Sequence, residues 1–243
     1  MRVTRLHVAQ PLAPGARIAL PGEAAAYLAR VLRLQVGDAC VLFNGDGHDY
    51  DARLVAVGKR GVEVEVLGAT AVDHESPLRL TLLQGVARGE KMDWILQKAT
   101  ELGVVAFVPV NSQRSEVRLD DARAGKRVLH WQAVVAAACG QCGRARVPSV
   151  APPGLLEAAM AELPAGPRFL LDPLAGASIA GLEMPGDACV LAVGPEGGWS
   201  PRDREQLVGA GFTGLRLGPR ILRTETAGIA AIAALQARFG DLA

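Results

Sequence analysis

The sequence predicts two domains, a small β-rich one followed by an α/β one with a parallel sheet. Three observations predict them. Val62, Val64 and Val66 alternate with Glu63 and Glu65, the period-two pattern of a half-buried strand. From Leu78 onward β-like runs alternate with helical ones, which implies strand–helix units and hence parallel pairing. Two glycine-bearing segments, Gly194-Pro-Glu-Gly-Gly-Trp-Ser-Pro201 and Leu217-Gly-Pro-Arg-Ile-Leu-Arg-Thr-Glu-Thr-Ala227, each follow an apolar run and lead into a helix.

In chain order, residues 1 to about 70 read as mostly β. One helix is expected from Glu23 to about Leu34, with Tyr27, Leu28, Val31 and Leu32 on one face and Arg30 and Arg33 beside it. Asn44-Gly-Asp-Gly47 is turn chemistry between the runs Ala39 to Phe43 and Asp49 to Val57. A small barrel of several strands and one helix fits. Gly68 to Pro77 has no periodicity, so the boundary falls there, giving domains at 1–72 and 73–243.

In the second domain Leu78 to Gly85 is the first strand and Glu90 to Gly103 an amphipathic helix ending on glycine. Val104 to Val110 is a strand, Asp120 to about Gly140 a long helix, and Arg168 to Leu171 and Cys189 to Gly194 further strands. Ser200 as N-cap, Pro201 at the first helical position and Asp203 as capping-box partner start the next helix. Thr213 to Leu217 is a strand and Arg223 to about Phe239 the last helix. That helix carries Ala227, Ile229, Ala230, Ile232, Ala233, Ala234 and Leu235, apolar on nearly every side, so it is expected to be buried all round.

The chain has 243 residues, half of them hydrophobic but only 4% aromatic, so the core is built from small aliphatic side chains. No apolar run reaches the roughly eighteen residues of a membrane-crossing helix. The amino-terminal stretch from Met1 to Leu6 has no signal-like apolar segment, so a cytoplasmic protein is expected. Net charge is +1, yet between Arg114 and Arg146 seven basic residues (Arg114, Arg118, Arg123, Lys126, Arg127, Arg144, Arg146) face three acids (Glu116, Asp120, Asp121). Such a face can meet phosphate. Cys139-Gly-Gln-Cys142 has zinc-like spacing, but no second Cys or His pair accompanies it, so no metal is expected.

Two glycine turns at neighbouring strand ends make a cleft walled by backbone, suited to a flat cofactor needing close N–H and C=O contacts. An ordinary dinucleotide fold is excluded, since no G-x-G-x-x-G follows the first strand. Gly85-Val-Ala-Arg-Gly-Glu-Lys91 lacks the Lys-Ser/Thr ending of a phosphate loop.

Both glycine motifs resemble the signature of the RsmE family within the SPOUT superfamily. Arg30-Val-Leu-Arg33, Arg88-Gly-Glu-Lys-Met-Asp-Trp94, Gln97-Lys-Ala-Thr-Glu-Leu-Gly103 and Gln141-Cys-Gly-Arg144 with Val147-Pro148 resemble it too, in the family's order. The resemblance implies a trefoil-knotted SPOUT α/β methyltransferase domain behind a PUA-like RNA-binding barrel. It also implies S-adenosyl-L-methionine as cofactor, N3 of one uridine in 16S ribosomal RNA as target, and a homodimer. Position by position it assigns cofactor contacts to Leu171, Gly194, Pro195, Glu196, Gly197, Gly198, Leu217, Gly218, Ile221, Leu222, Thr224 and Ala227. Ribosomal RNA, free or in the small subunit, would meet Arg30, Arg33, Arg88, Lys91, Arg114, Arg144 and Arg220. Removing the N3 proton or stabilising the resulting anion points to Arg223, with Glu225 and Glu196 as alternative bases beside water or hydroxide. One departure is Gly140, where the family usually carries glutamate. Two other readings are a non-catalytic RNA-binding scaffold and a related enzyme with a different RNA target. The first would predict a degraded cleft, which the intact motifs do not show.

Overall fold

The computed structural model describes residues 3–59, 61–115 and 121–242. Met1, Arg2, Glu116, Arg118 and Asp120, and the side chains of Asp121 and Arg123, lie outside the described residues, so part of the basic stretch does too. The chain divides into two compact units, one of residues up to Glu75 together with Cys139–Val147, the other of Ser76–Ala138 with Pro148 onward.

The first unit contains β1 (Arg5–His7), β2 (Arg17–Ala19), α1 (Gly22–Ala26), β3 (Ala39–Phe43), β4 (His48–Gly58) and β5 (Gly61–Ala71). Its five-stranded sheet runs β1-β3-β4-β5-β2, parallel only at β1–β3. Over Tyr50–Leu54 of β4 and Val62–Val66 of β5 every second side chain is buried, as the alternating valines require, and Val62, Val64 and Val66 enter a core with Leu28, Leu42 and Leu54. The expected helix over 23–34 is shorter. After α1 the chain widens into a π-helical turn, Tyr27–Val31, in which the Leu32 N–H donates to the Tyr27 carbonyl at 3.0 Å. The wider turn breaks the 3.6-residue spacing, so Leu28 is buried while Tyr27 and Val31 face solvent. Arg33 closes the turn at φ +56°, the single non-glycine residue in the left-handed region among those described.

The second unit contains β6 (Arg79–Gly85), α2 (Glu90–Glu101), β7 (Ala106–Asn111) and α3 (Asp121–Cys142), whose last turn belongs to the first unit. There follow β8 (Ser149–Val150), β9 (Gly154–Leu155), α4 (Leu156–Ala161), β10 (Arg168–Leu171), β11 (Ala177–Ser178), β12 (Ala188–Val193), α5 (Pro201–Gly209), β13 (Phe212–Arg216) and α6 (Thr224–Phe239). The strands form one parallel sheet in the order β11-β13-β10-β12-β6-β7-β8, with β9 also on β7. Its middle strands β6 and β12 are buried almost throughout, as strands covered on both faces must be. Val190 and Ala192 pack with Leu156, Met160 and Leu207 of α4 and α5, whereas Val193 meets α6 at Gly228 on the opposite face. Among the described residues no helix is long and apolar enough to cross a membrane, and no group of three or more His, Cys, Asp or Glu could hold a metal ion.

Candidate cofactor cleft

The cleft lies within the second unit, at the carboxyl ends of β10, β12 and β13, with a volume of about 580 Å³. Open parallel sheets bind ligands at this edge, because side chains and turns there face outward without obstructing the sheet. The loop after β12 supplies one wall. Gly194 is tightly enclosed: a Cβ there would lie 3.1 Å from Gly198 Cα and from the Trp199 nitrogen. Gly198 takes φ +66° and Gly218 φ +73°, and a Cβ on either meets nothing within 4 Å, so each leaves bare backbone for a ligand to approach.

The loop is tied at several points. Gly198 N–H donates to the Pro195 carbonyl at 2.8 Å, closing a turn around Glu196 and Gly197. Thr224 Oγ1 donates to the Gly194 carbonyl at 2.5 Å and accepts from Gln84 Nε2 at 3.3 Å, joining the ends of β6 and β12 to the start of α6. Pro195 lies against Gly85, where a Cβ would come within 2.5 Å of its ring. Ser200 and Asp203 complete the expected capping box on α5, each side chain accepting from the other's backbone N–H at 3.0 Å.

Every residue assigned above to the cofactor lies on this wall: Leu171, the turn Gly194 to Gly198, Leu217, Gly218, Ile221, Leu222, Thr224 and Ala227. Arg114 and Arg220, assigned to RNA, line it as well. Asp172 and Arg204 were missed. Asp172 is buried and bonded to the Arg204 guanidinium, an ion pair on the cleft wall formed across a gap of 32 residues. No local pattern announces such a pair.

The catalytic candidates occupy different surroundings. Arg223 is the N-cap of α6, exposed and off the cleft lining, with no side-chain hydrogen bond or ion pair among the described residues. Glu225 is half-buried in the first turn of α6, and its Oε2 is buried without a hydrogen-bond partner among the described residues. Glu196 accepts from the Arg88 N–H and from Lys91 Nζ, both at 3.1 Å. Burial alone would raise its carboxyl. Hydrogen bonds from its own N–H, from the Arg88 N–H and from the Lys91 ammonium outweigh that and hold it below the ordinary carboxylate value.

Arg30 on the π-helical turn of the first unit and Arg33 just after it are exposed. Arg144, also in that unit, is buried, its guanidinium spanning both oxygens of Glu75 at 3.0 and 2.5 Å. A phosphate contact there would require giving up that pair. Gly140 fits its place tightly, since a Cβ would lie 3.3 Å from the Arg5 carbonyl. Glu75 thus supplies Arg144 with a carboxylate in a chain whose position 140 carries none.

Residues 74–236 match the RNA methyltransferase domain family, and residues 20–67 the RNA methyltransferase PUA domain family. The ribosomal RNA small subunit methyltransferase E of Buchnera aphidicola subsp. Schizaphis graminum is 32% identical over 99% of this chain and 98% of its own length. That of Mycobacterium bovis is 34% identical over 91% and 86%. Among solved structures, a ribosomal RNA small subunit methyltransferase E from Neisseria gonorrhoeae bound to S-adenosyl methionine is 38% identical, with a TM-score of 0.91 and full coverage of both chains. A Legionella pneumophila protein in complex with the bound cofactor SAM is 35% identical, with a TM-score of 0.96 and full coverage of both. With this likeness running from end to end, and both glycine turns on one cleft, the chain belongs to the ribosomal RNA small subunit methyltransferase E family.

Proposed function

We propose that this protein methylates N3 of a specific uridine in 16S ribosomal RNA, using S-adenosylmethionine held in the cleft between the 194–198 and 217–222 turns. The observation that carries the reading is the backbone-walled cleft at the ends of β12 and β13, in a chain that matches small-subunit RNA methyltransferases along its whole length. Bare backbone at Gly198 and Gly218, the apolar side chains of Leu217 and Leu222 and the preformed turn at Gly194 fit a flat adenosine and its methionine arm.

When bound, the cofactor supplies an electrophilic methyl group. The chain's own residues must hold the uracil in line with it and stabilise the charge that N3 and its flanking carbonyl oxygens carry once the proton leaves. Arg223 is the residue to which we assign that stabilisation, because its guanidinium is unpaired among the described residues and stands one residue before the cleft-lining Thr224. Glu225 is a side-chain candidate for the base, with one oxygen free of hydrogen-bond partners among the described residues.

We assign RNA binding to the amino-terminal PUA domain, 1–72, and chemistry to 73–243, a division supported by the family matches at 20–67 and 74–236. We read the second domain as trefoil-knotted on the ground of the family to which the chain belongs. A homodimer is supported by α6, whose Ala230 is exposed and whose Ile229, Ala233 and Ala234 are only half-buried in one chain. A cytoplasmic location is supported by the ribosomal RNA named in its relatives.

The experiment is nucleoside mass spectrometry of 16S RNA from small subunits that lack the modification, incubated with the protein and S-adenosylmethionine. Appearance of one N3-methyluridine supports the reading. A methyl group on a ribose, on another base or on transfer RNA alone contradicts it.

A further inference from the structure

Glu196 occupies the corner of the turn that forms the glycine wall of the cleft, and its carboxylate is committed. Oε1 accepts from the Arg88 backbone N–H, in the connection between β6 and α2, and from Lys91 Nζ, in the first turn of α2, both at 3.1 Å. On the turn's other side Arg114 Nη1 donates to the Gly197 carbonyl at 3.0 Å, and a Cβ at Gly197 would lie 3.1 Å from Arg114 Cβ. Gly194, Gly197 and Gly198 give the turn little stiffness of its own. The Gly198 N–H to Pro195 carbonyl bond closes the turn, and the ties of Glu196 and Gly197 hold its corner from outside.

A general base needs an available lone pair and a proton affinity matched to the working pH. Glu196 is held below the ordinary carboxylate value by the donors around it, and Oε1 already serves two of them. Such a carboxylate is a poor proton acceptor and a good anchor.

We propose that Glu196 and Lys91 form a latch that keeps the 194–198 turn in its cofactor-receiving shape, Glu196 being a positioning residue and not the base. The latch rests on the reading of the cleft as the S-adenosylmethionine site. It also gives Lys91, assigned to RNA by resemblance, a partner inside the protein. An approaching phosphate has to compete with Glu196 for that ammonium.

The test compares the full-length protein with Glu196→Gln, Glu196→Ala, Lys91→Met and the double variant Glu196→Ala/Lys91→Met. Cofactor affinity and the pH profile of methyl transfer to small ribosomal subunits are read for each. Removing either end opens the same latch, so Glu196→Ala and Lys91→Met should each weaken cofactor binding on the order of 10-fold, with the double variant no weaker than the singles. Glu196→Gln keeps an acceptor for the Arg88 N–H and for Lys91. It should stay within about 3-fold of the parent and leave the shape of the pH profile unchanged. A Gln variant as inactive as the Ala one, with cofactor affinity intact and the acid limb of the profile lost, would make Glu196 the base and overturn the proposal. Additive losses in the double variant would overturn it too, by separating the two residues. Failure of the parent protein to bind cofactor, alone or with subunits present, would instead remove the reading of the cleft, and the latch with it.

Discussion

At the residue scale, the distribution of partners separates scaffold from chemistry. Thr224, Glu196, Arg114 and Arg144 all have their polar groups engaged within the protein. Arg223 has no such engagement among the described residues, although it stands beside the cleft's last turn. Its removal should therefore leave folding nearly untouched, within about 0.5 kcal/mol as for other exposed side chains. Arg223→Ala should instead lower turnover by roughly 100-fold or more, the size expected for losing a donor to a developing anion, while cofactor affinity changes only a few-fold. Single-turnover rates and cofactor titration on the same preparation check the split. A large loss of cofactor affinity with turnover preserved at saturation would move Arg223 from chemistry to binding.

At the element scale, local signals were legible where one residue type admits one geometry. The start of α5 is such a case: Ser200, Pro201 and Asp203 together specify an N-terminus, and both bonds of the capping box form. Ser200 Oγ also donates to Gln113 Oε1 at 2.8 Å. Ser200→Ala should cost about 0.5–2 kcal/mol, read as a lower midpoint in denaturant with an unchanged slope. An unchanged midpoint would show that α5 is held by its packing alone. The buried runs of β6 and β12 were equally legible, because strands covered on both faces read as continuous apolar sequence. The helix over 23–34 was not. Its 3.6-residue pattern is interrupted by a π-helical turn whose extra residue leaves no mark in composition, and Arg33 in the left-handed region lacks the glycine that would have announced a stop. The short strands β8, β9 and β11 have two residues each and carry no periodicity to find. The cleft lining was read from the resemblance of its two motifs; of its residues only Gly194, Gly198 and Gly218 are ones that local backbone geometry itself asks for. The Asp172–Arg204 and Arg144–Glu75 pairs depend on tertiary approach and were not.

At the scale of the whole molecule, α6 carries both a wall of the cleft and an apolar face left open in one chain. Its first turn carries Thr224 on the cleft wall, while Ala231, Ile232 and Leu235 are buried in the second unit and Gln236 is tied to Ser76 and Leu102. Ala230 remains exposed on the same helix, next to half-buried Ile229. Covering that remaining apolar face is what a second copy of the chain would do. Light scattering at micromolar concentration should report a dimer, and Ala230→Arg should shift it toward monomer. A stable, fully active monomer would sink the dimer.

If the two glycine turns form the site for S-adenosylmethionine, calorimetric titration of the purified protein will read about one site per chain, and binding will be lost in Gly194→Val, whose side chain would crowd the backbone of Gly198 and Trp199. Undiminished binding by that variant, or no binding by the parent protein even with small ribosomal subunits present, would contradict that assignment.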